Sequence, residues 1–294
     1  MAKYVLSAFA DEAGKSLDEQ IAALVRNDIG CIEVRMIDGK GILTFSEEEL
    51  HAIRAKLDAA GIKVSSIGSP IGKYNIHEDF ETHLKDFRYC LKVAKILGAP
   101  RIRIFSFYVK QDELKECRDE VLRRMNVMLT EAKEAGLTLC HENEALIYGQ
   151  MPAEVKDVLS SIPELRGIFD AANYIMNDGD VMEGFRVTLP SLEYIHIKDA
   201  SYAEKIILPA GEGDGHLGEI LSETDKARDG IVYLTLEPHL RIFDGFVAID
   251  KHTLKGKYTF ANSTESFDCA VKSLEKVLTS IGFEKGDNRE WTRK

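Results

Sequence analysis

Apolar, strand-forming stretches alternate with helical ones eight times along this 294-residue chain, and no other feature restricts its fold as much. Tyr4 to Phe9 reads as the first strand. Ser16 to Asn27 follows with Leu17, Ile21, Leu24 and Val25 at helical spacing, and the Ile29-Gly30 break ends it. Cys31 to Met36 is the second strand. Ser46-Glu-Glu-Glu49 has the form of a capping box ahead of a helix that stops at Ala60-Gly61, after which Ile62 to Gly68 is the third strand. The same reading gives a helix over Glu78 to Leu97, a strand over Arg101 to Phe107, a helix over Asp112 to Ala135 and a strand over Leu137 to Glu142. Pro152 to Ser160 (helix), Arg166 to Asp170 (strand), Val181 to Val187 (helix), Leu192 to Lys198 (strand), His216 to Lys226 (helix) and Ile231 to Glu237 (strand) complete the series.

Eight β/α units with no Pro/Gly/Ser-rich linker between them predict an α/β protein, one closed (β/α)8 TIM barrel spanning 1–294. A long loop over 238–262, a last helix near 265–280 and a polar tail over 282–294 follow the eighth strand. An open doubly wound sheet is the alternative. Against it, Ser7-Ala-Phe-Ala-Asp-Glu12 stands after the first strand, where a dinucleotide-binding sheet carries G-x-G-x-x-G.

Composition removes several function classes. No apolar run approaches the roughly 18 residues of a membrane span. The first residues hold one Lys and an apolar patch too short for a secretory signal, so a cytoplasmic location is expected. Cys31, Cys90, Cys117, Cys140 and Cys269 are odd in number and lack C-x-x-C spacing, which predicts reduced thiols and no cysteine metal site. A net charge of -11 argues against nucleic acid or an anionic membrane as partner. Homo-oligomerisation is left open.

In a barrel the carboxyl ends of the strands form the active face. Strands five to eight each deliver one ligand-type residue there: Glu142, Asp170, His196 and Glu237. Consecutive strands are neighbours, so the four are expected to converge on one divalent ion. Carboxylate oxygens with one imidazole suit Mn²⁺, Mg²⁺ or Co²⁺, and Zn²⁺ also fits. Glu144 rivals Glu142, because two residues on along a strand it faces the same way. Lys198 and Asp199 are candidate substrate contacts. Glu33 and Arg35 share one strand face and read either as an ion pair or as a substrate contact, and Arg103 carries the same ambiguity. Ser69 and Lys73 after strand three and Glu212 after strand seven are candidates for a hydroxyl or phosphate. Gly211, Gly213 and Gly215 read as a mobile loop. His239 reads as a support for Glu237 or as a turn residue.

Phe169-Asp170-Ala-Ala-Asn173, Tyr194-Ile-His-Ile-Lys-Asp199 and Leu236-Glu237-Pro-His239 resemble the xylose-isomerase-like TIM barrels. That sugar-phosphate isomerase/epimerase group includes ketose 3-epimerases, inosose-converting enzymes and endonuclease IV. Ile67-Gly-Ser-Pro-Ile-Gly-Lys73, His141-Glu-Asn-Glu144, Ile147-Tyr-Gly149 and Ala210-Gly-Glu-Gly-Asp-Gly215 are similar to it too. The resemblance implies a metal-dependent isomerase or epimerase acting on a small sugar, ketose or sugar phosphate through an enediolate. It also implies that Glu142, Asp170, His196 and Glu237 hold the metal and that Glu142 and Glu237 move the proton. Loss of a β-hydroxyl after deprotonation would make the chain a lyase or dehydratase instead. Asn173 departs from the pattern. Several relatives place a His there, which in endonuclease IV helps bind extra zinc; Asn can hold a substrate hydroxyl but is a poor ligand. That substitution and the acidic charge disfavour a nuclease, and the complete ligand set disfavours a non-catalytic sugar-binding protein.

Overall fold

A computed structural model describes residues 1–241 and 258–294. Eight parallel strands form the barrel wall: β1 (Ala2–Ala8), β2 (Cys31–Val34), β3 (Lys63–Ile67), β4 (Arg101–Ile104), β5 (Thr138–Glu142), β6 (Arg166–Asp170), β7 (Leu192–Ile197) and β8 (Gly230–Leu236). Hydrogen-bonded ladders run without interruption from β2 through β3 to β8 and then to β1, and β1 lies beside β2 to bring the ends together. This is an α/β fold of the TIM-barrel type. The helices between strands are α1 (Leu17–Arg26), α2 (Glu47–Ala59), α3 (Phe80–Leu97), α4 (Leu114–Glu134), α5 (Pro152–Ser161), α6 (Ala171–Met176), α7 (Val181–Thr188) and α8 (Leu217–Ala227), with α9 (Ser263–Ser280) after the last strand.

Local chemistry sets the helix ends. Ser16 and Ser46 each cap a helix and are capped in return by Glu19 and Glu49, the reciprocal pairing that the Ser46 stretch predicts. Gly98 closes α3 at φ 68°, a backbone conformation that suits glycine. Along β7, Ile195 and Ile197 turn outward into the main apolar core, while Tyr194 and His196 turn into the barrel. Among the described residues no helix is long and apolar enough to cross a membrane, and all five cysteines are free.

Three expectations change. The tail at 282–294 is a β-hairpin, β9 (Phe283–Lys285) and β10 (Glu290–Arg293), and β10 pairs antiparallel with β1 at Tyr4 and Val5. Its polar composition conceals two buried anchors, Phe283 against Tyr4 at 4.9 Å and Trp291. The fourth strand ends at Ile104, because Phe105 and Tyr108 donate their N–H groups to Ile71 and Tyr74 in the loop after β3. That loop passes so close that a Cβ on Gly72, at φ +90°, would stand 2.0 Å from the Phe105 carbonyl oxygen. The third change is α6, an additional short helix between the strand expected over Arg166 to Asp170 and the helix expected from Val181. Asp170 nucleates it by accepting the Asn173 N–H. Most of the long loop expected over 238–262 lies outside the described residues.

Candidate active site

The ladders fix the height of each candidate ligand. His196 on β7 is in register with Asp170 on β6 and Thr235 on β8, and Glu142 ends β5 one ladder away. Side-chain donor atoms of Glu142, Asp170, His196 and Glu237 lie within 4.8 Å of one another, and all four residues are buried. Glu144 is not in this group; its carboxylate pairs with Lys73 at 2.8 Å. His196 Nδ1 is 2.7 Å from Glu142 Oε1 and 3.5 Å from Glu237 Oε2, and its Nε2 is 3.2 Å from Glu33 Oε2. Glu33 in turn accepts from the Tyr194 hydroxyl at 2.9 Å. The imidazole is therefore held at both nitrogens, one facing the carboxylate group and the other supported from behind.

Cations surround the cluster. Arg103 NH1 donates to Glu142 Oε2 at 3.1 Å, Arg35 NH1 donates to Glu237 Oε1 at 2.7 Å, and Lys198 Nζ sits 3.1 Å from Asp170 Oδ2 and 3.4 Å from Glu237 Oε2. These contacts split the pKa values. Burial pushes the Asp170 carboxyl up to about 7 against the pull of Lys198. Burial pushes the Glu237 carboxyl up too, but Lys198, His239, His196 and Arg35 together hold it well below the usual carboxylate range. Burial works against a charged His196, and Glu142 with Glu33 overcomes it, raising the imidazole to about 10.

The donor set fits a hard or borderline divalent cation. It supplies three buried carboxylates and one buried imidazole from four strand ends. Asn143 keeps two of those strand ends in step, accepting the Asp170 N–H and donating to its carbonyl.

Several expected substrate contacts are committed elsewhere. The Asp199 carboxylate accepts from Gly211, Gly213 and Gly215 as well as Ala200, so it ties down the glycine run that the sequence read as mobile. A Cβ at Gly213 would meet Asp199 Oδ1 at 2.3 Å. Ser69 gives its hydroxyl to the Arg103 carbonyl, and the Asn173 amide donates to the Asn143 carbonyl at 2.8 Å. Glu212 is exposed and accepts from Tyr258. Glu33 and Arg35 do not form the pair the sequence offered, since Arg35 goes to Asp11, Glu12 and Glu237. Lys198, Arg35 and Arg103 stay at the cluster. His239 is buried 3.6 Å from Glu237 Oε1 and 3.4 Å from Glu12 Oε1.

The sequence reading missed Asp11 and Glu12. They follow β1 at the same face as the four candidates, and the rule applied to strands five to eight picks them out when extended to the first strand.

Fold and site together define a (β/α)8 barrel whose active face carries a buried carboxylate–imidazole cluster able to hold a divalent ion. The chain belongs to the xylose isomerase-like TIM barrel family, whose model matches residues 21–247. A search of curated proteins by sequence finds no significant match. Among solved structures, the chain is similar to an IOLI protein with a bound zinc atom, at 12% identity and TM-score 0.72, with 95% of this chain and 99% of that one covered. It is similar to a D-psicose 3-epimerase from Clostridium cellulolyticum H10 solved with D-tagatose, at 13% identity and TM-score 0.69 over 95% of this chain and 99% of that one. It is also similar to a probable 3-DHS dehydratase, AsbF, from Bacillus anthracis, at 14% identity and TM-score 0.70 over 94% of this chain and 99% of that one.

Proposed function

We propose that this protein is an isomerase or epimerase that needs one divalent metal ion and moves a proton next to the carbonyl of a small sugar, ketose or sugar phosphate. The observation that carries the reading is the convergence of Glu142, Asp170, His196 and Glu237, two of them glutamates that can exchange protons as well as bind metal. A bound divalent ion would supply Lewis-acid polarisation of the substrate carbonyl. The neighbouring C–H then loses its proton to a glutamate carboxylate, giving an enediolate. Glu237 suits this step by position: its buried carboxylate lies at the cluster, held by Arg35 at 2.7 Å and by Lys198 at 3.4 Å. Glu142 reaches the same space from β5 and returns a proton to carbon or moves one between oxygens. Arg103, on the Glu142 and Glu237 oxygens at 3.1 and 3.9 Å, keeps both carboxylates oriented. The likeness to an epimerase solved with its sugar supports this choice of chemistry, and the likeness to a dehydratase keeps a lyase outcome of the same enediolate as the second reading.

The test is turnover in D₂O of Mn²⁺-loaded protein against a panel of ketoses, inososes and sugar phosphates, followed by NMR. Deuterium is expected on the carbon beside the carbonyl. Glu237→Gln keeps one oxygen donor but removes the base, so turnover should fall by roughly 10²- to 10⁴-fold. A metal-loaded Glu237→Gln protein working at the wild-type rate would refute the assignment.

A further inference from the structure

Among the described residues, one other group of ligand-type side chains comes together without sharing any member of the four-residue cluster. Donor atoms of His77, Glu113 and Cys117 lie within 4.8 Å of one another. Local backbone structure builds the group. Glu113 and Cys117 are four residues apart at the start of α4, where the Cys117 N–H donates to the Glu113 carbonyl, so their side chains share one helix face a turn apart. Glu113 stands just before the first helical residue, yet its carboxylate caps no backbone N–H. His77 comes from the loop after β3. There Ile76 donates its N–H to the Tyr108 carbonyl, Tyr108 donates to the Tyr74 carbonyl, and the Asn75 side chain accepts the His77 N–H at 2.9 Å. These bonds fix the residue that carries the imidazole.

His77 Nε2 is 3.0 Å from Glu113 Oε2, the same kind of contact that joins His196 to Glu142 in the active cluster. A metal ion can take the place of the proton between such groups. Lys110 holds the other Glu113 oxygen at 2.9 Å, and as an exposed side chain it can turn away to solvent. Cys117 forms the floor of the group: it is 6% exposed and, among the described residues, its free thiol has no hydrogen-bond partner. Burial, with Glu113 and Glu116 nearby, pushes that thiol above its ordinary value, so it keeps its proton at neutral pH and releases it to solvent when a metal binds.

We infer that His77, Glu113 and Cys117 form a second metal site, separate from the active cluster, for a borderline transition-metal ion of the Zn²⁺ class. One imidazole, one carboxylate and one thiolate are softer than three carboxylates with one imidazole, so this site favours Zn²⁺ or Co²⁺ where the active cluster suits Mn²⁺ or Mg²⁺. Three protein donors leave a fourth position open. A cavity of about 300 Å³, lined by Glu113 with Asn75, Tyr108 and Lys110 among others, gives room there for water or a small ligand. A bound ion would tie the loop after β3 to α4. That loop carries Lys73, whose ammonium reaches Glu144, so the ion would brace one wall of the active face. The sequence predicts no cysteine metal site because no two cysteines have C-x-x-C spacing, and a single thiol joined by two other residue types falls outside that rule.

The test is Co²⁺ titration of the chelator-treated full chain, followed in the near-ultraviolet, where thiolate ligation of Co²⁺ gives a charge-transfer band that carboxylate and imidazole ligands do not. The four-residue cluster contains no sulfur, so the band reports the second site alone. It is expected to saturate at one Co²⁺ per chain, to be absent in Cys117→Ser and to persist in Glu142→Gln, with circular dichroism confirming that each variant folds. His77→Ala, at an exposed position, should weaken Co²⁺ binding read from the band by about tenfold or more, since loss of a side chain that only supports a ligand already costs roughly 10- to 100-fold. No band in the wild type, a band unchanged in Cys117→Ser, a band lost in folded Glu142→Gln, or wild-type affinity in His77→Ala would overturn the inference.

Discussion

Glu33 makes no contact with the proposed reaction, yet its substitution should weaken the metal site. Its Oε2 stands 3.2 Å from His196 Nε2 and its Oε1 accepts from Tyr194, so it fixes the ring that turns Nδ1 toward Glu142 and Glu237. Carboxylates behind metal-binding histidines act this way: they set the tautomer and raise ligand basicity. Glu33→Gln keeps an acceptor oxygen but removes the charge. A hydrogen bond to a charged group contributes about 1.5–3 kcal/mol and a neutral one about 0.5–1.5, so the change costs about 1–2 kcal/mol. That loss corresponds to a drop in Mn²⁺ affinity of roughly 5- to 30-fold. Glu33→Ala removes the acceptor altogether, strands the buried His196 Nε2 while Tyr194 keeps Ser66, and should lower affinity further, by roughly 10- to 100-fold. Calorimetric titration of chelator-treated protein with Mn²⁺ reads both, with circular dichroism to confirm folding. Wild-type Mn²⁺ affinity in a folded Glu33→Ala protein would refute the support assigned to Glu33.

The rival glutamates separate by the same assay: Glu142→Gln should lose metal, whereas Glu144→Gln, whose target pairs with Lys73, should keep it and change substrate affinity. The reverse pattern would reassign the ligand. A further prediction concerns His83, whose Nε2 accepts the Gly72 N–H at 2.9 Å amid the rings of Tyr74, Phe80 and Phe107. Burial pushes its imidazole down from 6.5 to about 4, so the unfolded chain takes up this proton first, and stability present above pH 6.5 is lost as pH falls toward 4. The loss should be on the order of 3 kcal/mol, read as the change in urea-unfolding free energy between pH 7 and 4.5. His83→Gln should flatten that dependence, and an unaltered pH profile would contradict the assignment.

Eight β/α units were legible because strand patterning and helical periodicity are local properties of the chain. The four-residue cluster was legible for a related reason. A strand that ends in a polar residue points it at the barrel mouth, and neighbouring strands bring such residues together whatever their separation in sequence. The backbone bonds of Asp199, Ser69 and Asn173 were not legible, because a polar residue at the rim has two sets of partners, ligand atoms and backbone groups of the loops, and only the folded loops show which backbone groups it meets. Asp199 binds four backbone N–H groups, a demand visible only once the glycine run is in place. Asn143 is similar: its bonds to Asp170 join two strands, and nothing in its own sequence neighbourhood requires them. The terminal hairpin stayed hidden because Phe283 and Trp291 are isolated among polar residues and acquire their meaning from Tyr4, at the opposite end of the chain.

The central claim is that Glu142, Asp170, His196 and Glu237 hold a metal ion, and anomalous diffraction from crystals grown with Mn²⁺ tests it most directly. One strong peak is expected per chain, with a donor atom of each of the four residues about 2.0–2.6 Å away. A peak elsewhere, or no peak while the four side chains keep the contacts described here, would contradict the account.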